Sequence, residues 1–266
     1  MVPGGTGALD LSRPTQDELA VSVIVPAYNE AARLPATLDA LESHLASRGG
    51  EAEIIVVDDG SIDATAATVE RRPRGAVRVA SVRLPVNRGK GRAVVAGVAA
   101  SRGRVVAFID ADLPYTLANL DEAVRLVAGG EADIALGARD LPASSYDPSY
   151  PLARQIAGRT YAALVRLALG LPFGDTQCGL KSFRRASARA LFPLLTIDGY
   201  GFDVELVYLA CTRRHRIVRF PVTLSHRHES RVRLARDSFR MFGDLWRVRR
   251  NEARGVYGER PGSARA

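Results

Sequence analysis

Glu53 to Ala67 reads "EIIVVDDGSIDATAA", an apolar run that ends on Asp58 and Asp59 and turns at once through Gly60 and Ser61. Each of two adjacent carboxylates raises the cost of ionising the other, so the pair needs compensating contacts. Consecutive strand residues face opposite ways, and on those terms two like charges are tolerable. "VVAFIDAD", Val105 to Asp112, ends on a second pair with a different spacing. Asp110 and Asp112 stand two apart; in an extended segment both carboxylates lie on one face, where a hard divalent cation could bind them. A third cluster, "PAYNE" (Pro26 to Glu30), follows the run "VSVIV", and "NRGKG" (Asn87 to Gly91) is a glycine-rich turn entering a helical pattern. Backbone N–H groups there, with Lys90 beside them, suit a phosphate. The longer glycine-lysine-serine pattern of NTPase loops is missing. Taken singly, each cluster also has a purely structural reading: Asp63 could cap the helix after "EIIVVDD", and Asn29 or Glu30 the helix after the first run.

The elements that must position these residues are legible as an alternation. Val21 to Tyr28, Glu53 to Asp59, Val77 to Leu84, Val105 to Asp112 and Asp133 to Arg139 read as strands rich in Val, Ile and Ala. Between them Glu30 to Arg48, Asp63 to Arg72, Gly89 to Ser101 and Leu117 to Ala128 carry apolar residues at helical spacing. This β-α alternation predicts an α/β fold: a mostly parallel sheet with helices on both faces. In such sheets ligands bind beyond the carboxyl ends of the strands, so the three acidic clusters should converge on one rim.

Composition sets the outer limits. The 266 residues are 47% hydrophobic and 25% charged, which excludes disorder for most of the chain. Cys178 and Cys211 offer neither a disulfide framework nor a metal spacing, and fit a reducing, cytoplasmic setting. A net charge of +8, much of it in Arg213 to Arg250, calls for an anionic partner such as a phospholipid surface or nucleic acid. No stretch approaches the roughly 18 uncharged apolar residues of a membrane span, so membrane contact is expected to be peripheral. The four histidines show no metal-site spacing.

Four stretches, "VSVIVPAYNE", "IIVVDDGSIDAT", "NRGKGRAVVAGV" and "FIDADLPY", resemble the successive nucleotide-sugar motifs of the family 2 inverting glycosyltransferases, which have a GT-A fold. "DTQCGLKSFRRASARALF" and "GYGFDVELVYLA" narrow the resemblance to dolichyl-phosphate β-glucosyltransferases and their polyprenyl-phosphate relatives. The resemblance spans Val21 to Arg227. It implies a single nucleotide-sugar-binding domain over 20–228; the residues outside it read from their own composition as a flexible segment 1–19, a basic amphipathic helical region 229–257 and a disordered tail 258–266.

On the donor side the resemblance implies that Pro26, Tyr28, Glu30, Asp58, Asp59, Lys90 and Asp110 bind the nucleotide sugar, UDP-glucose being favoured. Asp58 would accept the uracil imide N–H, and Asp59 would hold the turn or the ribose region. Asp110 and Asp112 would hold Mg²⁺ or Mn²⁺, neutralising charge on the departing diphosphate; Asp112 is the direct ligand and Asp110 stands nearer the ribose or metal. On the acceptor side Arg139 and Lys181 would clamp a lipid phosphate. Asp175 matches the position proposed as base in the family, but a phosphate monoester with second pKa about 6 scarcely needs deprotonation, which favours positioning. Asp203 and Glu205 either support the acceptor pocket or complement a helix dipole.

Members of this branch commonly carry membrane spans, and none is legible here. Tyr161 to Phe173 reads as an interfacial helix or a core helix. Arg231 to Arg250, with Phe239, Met241, Phe242, Leu245 and Trp246, suits an anionic membrane surface or an arginine-faced helix docked on the domain. The expectation is peripheral attachment at the cytoplasmic face, without nucleic acid. The alternatives are a mannosyl transfer from GDP-mannose, transfer to a soluble acceptor, or a nucleic-acid-binding or scaffolding protein.

Overall fold

A computed structural model describes residues 19–49, 51–146, 152–224 and 234–258, apart from the side chains of 153, 154, 157 and 234–240. The segment before residue 19, the tail from 259, residues 231–233 and the Phe239 side chain lie outside the described residues. Nine strands and eight helices follow in order among them: β1 (Val21–Ala27), α1 (Leu34–Ser47), β2 (Ala52–Asp58), α2 (Thr65–Glu70), β3 (Arg78–Arg83), α3 (Lys90–Ala100), β4 (Val105–Phe108), α4 (Leu117–Ala128), β5 (Ile134–Ala138), β6 (Ser145–Tyr146), α5 (Leu152–Leu169), β7 (Lys181–Arg184), α6 (Arg185–Leu191), α7 (Phe202–Thr212), β8 (Ile217–Pro221), β9 (Thr223–Leu224) and α8 (Leu234–Ala253).

Seven strands form one sheet in the order β3-β2-β1-β4-β7-β5-β8, and β6 pairs with β9 beside it. The expected parallel block is present: β1 pairs in parallel with both β2 and β4, and β2 with β3. Strand β7, which the alternation did not predict, runs antiparallel between β4 and β5. Its sequence, "KSFR", has charged ends and no apolar alternation, yet Lys181, Ser182 and Phe183 are all buried.

Period-2 geometry explains the two cores. Val23, Val25, Ile54 and Val56 point to the face covered by α1, α2 and α4, where Leu34, Leu38, Val69 and Leu120 pack. Ile24, Ile55 and Val57 point to the other face, covered by α3 and α5–α8. Both faces are dry, which is why β1 and β2 read as continuous apolar runs. Helix α8 joins this second core through Leu245 and Val248, so the C-terminal basic helix is docked on the domain.

Candidate functional site

The carboxyl ends of β1, β2 and β4 lie side by side, and their loops are laced together. Asn29 N–H donates to Ser61 Oγ (2.9 Å) and Asn29 Oδ1 accepts from Ile62 N–H (3.0 Å). Glu30 N–H donates to Thr65 Oγ1 (2.8 Å). Asp63 accepts from the N–H groups of Thr65 and Ala31 and so joins the two loops, while neither α1 nor α2 has a side-chain cap.

Asp58 and Asp59 serve different partners, which resolves their juxtaposition. Asp58 is 0% exposed. Its Oδ1 accepts from Ser61 N–H at 2.8 Å, while Oδ2 is buried without a hydrogen bond and faces the Arg83 guanidinium at 3.4 Å. A buried carboxylate oxygen lacking a donor is expensive, and a ligand N–H would supply one. Asp59 accepts from the N–H groups of Arg88 (2.9 Å) and Gly89 (2.7 Å). Burial raises its pKa, these two bonds oppose the rise, and the charge of Asp58 adds to it. Two amides of "NRGKG" expected to face a phosphate are therefore held by Asp59, and the turn's two cations are Lys90 and Arg88, the latter paired with Asp198.

The acidic pair departs from the extended geometry expected of it. Strand β4 stops at Phe108, and Asp110 to Leu113 form a turn closed by Leu113 N–H to the Asp110 carbonyl (3.0 Å). Leu113 sits at φ 43°, a strained region for a branched residue. The turn still brings the two carboxylates close: desolvation raises the Asp112 pKa, the Asp110 charge adds to the rise, and Arg33 counters it. Lys90 Nζ lies 2.5 Å from Asp110 Oδ1. Among the described residues no group of three or more His, Cys, Asp or Glu forms a metal cage. Two carboxylates at an open rim fit a cation that draws its remaining ligands from diphosphate and water, as Mg²⁺ commonly does.

Of the first cluster, Pro26 is half-buried within β1 and Tyr28 is exposed at the rim. The Glu30 carboxylate is engaged by Arg33 through two hydrogen bonds of 2.7 and 2.8 Å. Glu30 thus orients Arg33, a cation that the sequence pattern does not single out.

On the acceptor side Arg139 grips Asp175 with Nε to Oδ2 at 2.7 Å, Nη2 to Oδ1 at 2.9 Å and its own N–H to Oδ2 at 3.0 Å. Burial pushes the Asp175 pKa up, but the Arg139 charge and these bonds prevail and hold it well below the usual carboxylate range. Lys181 is not placed to clamp an acceptor. Its side chain is 0% exposed, and Nζ is spent on Asp203 Oδ1 (2.5 Å) and the Cys178 carbonyl (2.6 Å). Asp203 therefore neutralises Lys181. Glu205 accepts from the N–H groups of Thr196 and Ile197 and from Tyr257 Oη, which makes it a structural tie.

A pocket opens between α5 and the stretch from Gly174 to Gln177 of the loop that joins α5 to β7, its charged lining being Arg139, Asp140, Arg159, Arg166 and Asp175. Sequence patterning alone missed Arg159 and Arg166, although their seven-residue spacing puts them on one helical face. Further along the same loop, Gly179 abuts the Asp110 carboxylate, which occupies the place a side chain at 179 would take. The acidic turn and the arginine pocket thus share one loop. Within α5, Tyr161, Val165 and Leu169 are buried, while Leu152, Ile156 and Leu167 form an exposed apolar stripe beside the arginines.

Comparison with known proteins agrees with this geometry. Residues 22–192 match the glycosyl transferase family 2. A dolichyl-phosphate beta-glucosyltransferase of Dictyostelium discoideum is 33% identical over 254 residues, 91% of this chain and 77% of that protein. The Drosophila melanogaster protein of the same name is 39% identical over 204 residues, 72% of this chain and 63% of its own. Among solved structures, glucosyl-3-phosphoglycerate synthase from Mycobacterium tuberculosis in complex with uridine-diphosphate superposes with a TM-score of 0.65 at 25% identity, covering 86% of this chain and 80% of that one. The same synthase with Mn²⁺, uridine-diphosphate and glucosyl-3-phosphoglycerate gives a TM-score of 0.65 at 24% identity. Strand-end carboxylates, a GT-A sheet and a match over residues 22–192 lead to one assignment: the chain belongs to glycosyl transferase family 2.

Proposed function

We propose that the protein transfers glucose from UDP-glucose to a dolichyl or other polyprenyl phosphate, with inversion, at the surface of a membrane. The observation that carries this reading is the shared loop: Asp175 sits in a pocket lined by Arg139, Arg159 and Arg166, and Gly179, four residues on, lies against the acidic turn. A phosphate acceptor and a diphosphate leaving group need those two environments within one transfer distance.

In the transfer, an acceptor phosphate oxygen forms a bond to the anomeric carbon from the face opposite the diphosphate. The bond from that carbon to the β-phosphate oxygen breaks, and its electron pair leaves with UDP. The α-linked donor thereby gives a β-linked lipid phosphosugar. Arg139, Arg159 and Arg166 bind the acceptor phosphate, a dianion above its second pKa of about 6 that needs no base. Asp175, held as an anion by Arg139, orients that guanidinium. Asp58 receives the uracil imide N–H on Oδ2, which has the Arg83 guanidinium near it but no hydrogen bond, and Lys90 sits at the diphosphate. Asp110 and Asp112 would hold a divalent cation, Mg²⁺ or Mn²⁺, which supplies charge neutralisation for the leaving group.

Attachment to the membrane rests on the exposed stripe of α5 and on Trp246 of α8, flanked by arginines. Among the described residues no helix is long and apolar enough to cross a membrane. Two free cysteines accord with the cytoplasmic face. The test is incubation with UDP-glucose, GDP-mannose, a short polyprenyl phosphate and 3-phosphoglycerate in separate pairings. The expected product is a glucosylated lipid phosphate from UDP-glucose alone. Glucosylation of 3-phosphoglycerate without any lipid product would replace this reading by transfer to a soluble phosphate ester.

A further inference from the structure

Helix α8 touches both halves of the site indirectly. On one side it packs on α5, which lines the arginine pocket: Tyr161 and Phe242 meet edge to face with ring centroids 6.0 Å apart, and Arg249 Nε donates to the Ala168 carbonyl. On the other it grips the segment Thr196 to Gly201. Arg247 Nη2 donates to the Thr196 carbonyl (2.8 Å) and Asn251 Nδ2 to Thr196 Oγ1 (2.9 Å). At the segment's far end the Asp244 carboxylate fills the space that a side chain at Gly201 would need.

That segment is packed directly on the turn that carries Lys90. Asp198 Oδ2 accepts from Arg88 Nη2 (2.8 Å), and its carbonyl accepts from Arg92 N–H (3.2 Å). Gly89 has φ 113°, and a Cβ there would lie 2.6 Å from the Asp198 carbonyl oxygen. The backbones therefore meet without any intervening side chain. The turn is fixed from below by Asp59 and from above by Asp198, and Asp198 belongs to a segment held by α8.

We infer that α8 is a bracket between the acceptor helix and the donor diphosphate turn, and that Arg247 and Asn251 are positioning residues for the nucleoside diphosphate. Neither touches the ligand; they act through Thr196, the segment to Asp198, and the turn Arg88 to Lys90. The inference rests on the UDP-donor reading. Its consequence falls first on the phosphates, because the chain of bonds meets the turn Arg88 to Lys90 directly and reaches Asp58, where the uracil end of the donor lies, only through its neighbour Asp59.

The experiment is calorimetric titration of the whole protein with UDP plus Mn²⁺ and, separately, with uridine. Arg247→Ala and Asn251→Ala should each raise the Kd for UDP about fivefold, the scale of one lost hydrogen bond. Uridine affinity should be unchanged, and Arg247→Lys, which keeps a donor for the Thr196 carbonyl, should stay within about twofold of the parent. Unaltered UDP affinity in both alanine variants overturns the inference. An equal loss for UDP and uridine overturns it as well, by marking a general structural role. Should Arg247→Ala fail to fold, the same comparison on Asn251→Ala decides. A parent protein that binds no UDP overturns the donor reading itself, an outcome distinct from variants that bind as the parent does.

Discussion

Arg139 holds Asp175 through two guanidinium bonds and one backbone bond, and Gln177 N–H adds a fourth, so the carboxylate is an anion whose acceptor contacts are already made. Its folded pKa is depressed: burial opposes this, and the Arg139 charge together with the hydrogen bonds from Arg139 and Gln177 outweighs burial. For a depressed carboxylate the stabilisation is present above the unfolded value, about 3.9, and is lost as pH falls through the folded one. Asp175 therefore titrates nowhere near neutrality. The acid limb of kcat/KM should instead follow the acceptor phosphate, with unit slope below pH about 6. Asp175→Asn should lower the rate at every pH and leave that limb in place. A limb that disappears in the variant would identify Asp175 as the base after all.

Asp112 shares its turn with Asp110 and feels both desolvation and the neighbouring charge. A cation bound there relieves that repulsion and offsets charge on the leaving diphosphate. Asp112→Asn should cut turnover by about two to three orders of magnitude, the range seen when an electrostatic stabiliser of the transition state is removed. The melting temperature should hold. Chelator should abolish parent activity, and Mn²⁺ or Mg²⁺ should restore it. Full activity of the variant in excess chelator would eliminate the metal role.

Asp58 Oδ2 has no hydrogen-bond donor in a fully buried position at the end of β2. Uracil offers a single imide N–H to it. In Asp58→Asn an amide N–H₂ set at that point would oppose the imide, while the remaining oxygen serves Ser61. UDP affinity should fall by about tenfold or more, as for the loss of a hydrogen bond to a charged group. The parent should bind UDP more tightly than GDP. Competition binding measures both, and a parent that prefers GDP would refute the uridine assignment.

The strand-end clusters are legible in the sequence because β1 and β2 are buried on both faces, and short, densely apolar runs such as "VSVIV" and "IIVV" are what a strand covered from both sides requires. Their contacts are less so. Whether Asp59 faces a ribose or the amides of Arg88 and Gly89 depends on how the "NRGKG" turn folds back, a long-range fact. The acidic turn reads as extended because Asp110 and Asp112 follow an apolar run without a break, and the chain bends one residue beyond Phe108. Arg159 and Arg166 are hidden among many arginines; their helical spacing is present, but only α5 lying across the Asp175 loop makes it a pocket. Lys181 misleads most, since a lysine in a polar motif looks like a phosphate ligand until β7 is seen inserted between two other strands.

Lys181 and Asp203 form an ion pair with both side chains out of solvent. Removing one partner of such a pair strands the other charge, at a cost of roughly 3–5 kcal/mol. Lys181→Met should therefore lower stability in urea unfolding by that order. The double variant Lys181→Met with Asp203→Leu should recover most of the loss. Any protein that remains folded should keep its KM for the acceptor phosphate. A raised acceptor KM with unchanged stability would return Lys181 to the acceptor site.

Leu167 is 82% exposed and Trp246 80% exposed, on two helices that pack together, of which α5 lines the arginine pocket. Solvent-facing apolar residues of this size, bordered by Arg159, Arg166 and Arg250, match the interface of an anionic bilayer. Apolar anchors enter the acyl boundary, and each nearby arginine adds about 1 kcal/mol of attraction. The variants that test this must avoid Arg247 and Arg249, whose side chains bond the carbonyls of Thr196 and Ala168 and so hold α8 in place. Leu167→Asp with Trp246→Asp removes the anchors and leaves those bonds intact. In liposome sedimentation the parent should pellet with anionic vesicles at low salt and be released as ionic strength rises, because the attraction is screened. The double variant should stay in the supernatant, keep its affinity for UDP, and lose transfer to acceptor embedded in vesicles while retaining transfer to a short polyprenyl phosphate in solution. Parent protein that ignores anionic vesicles at low salt would remove this face from the membrane.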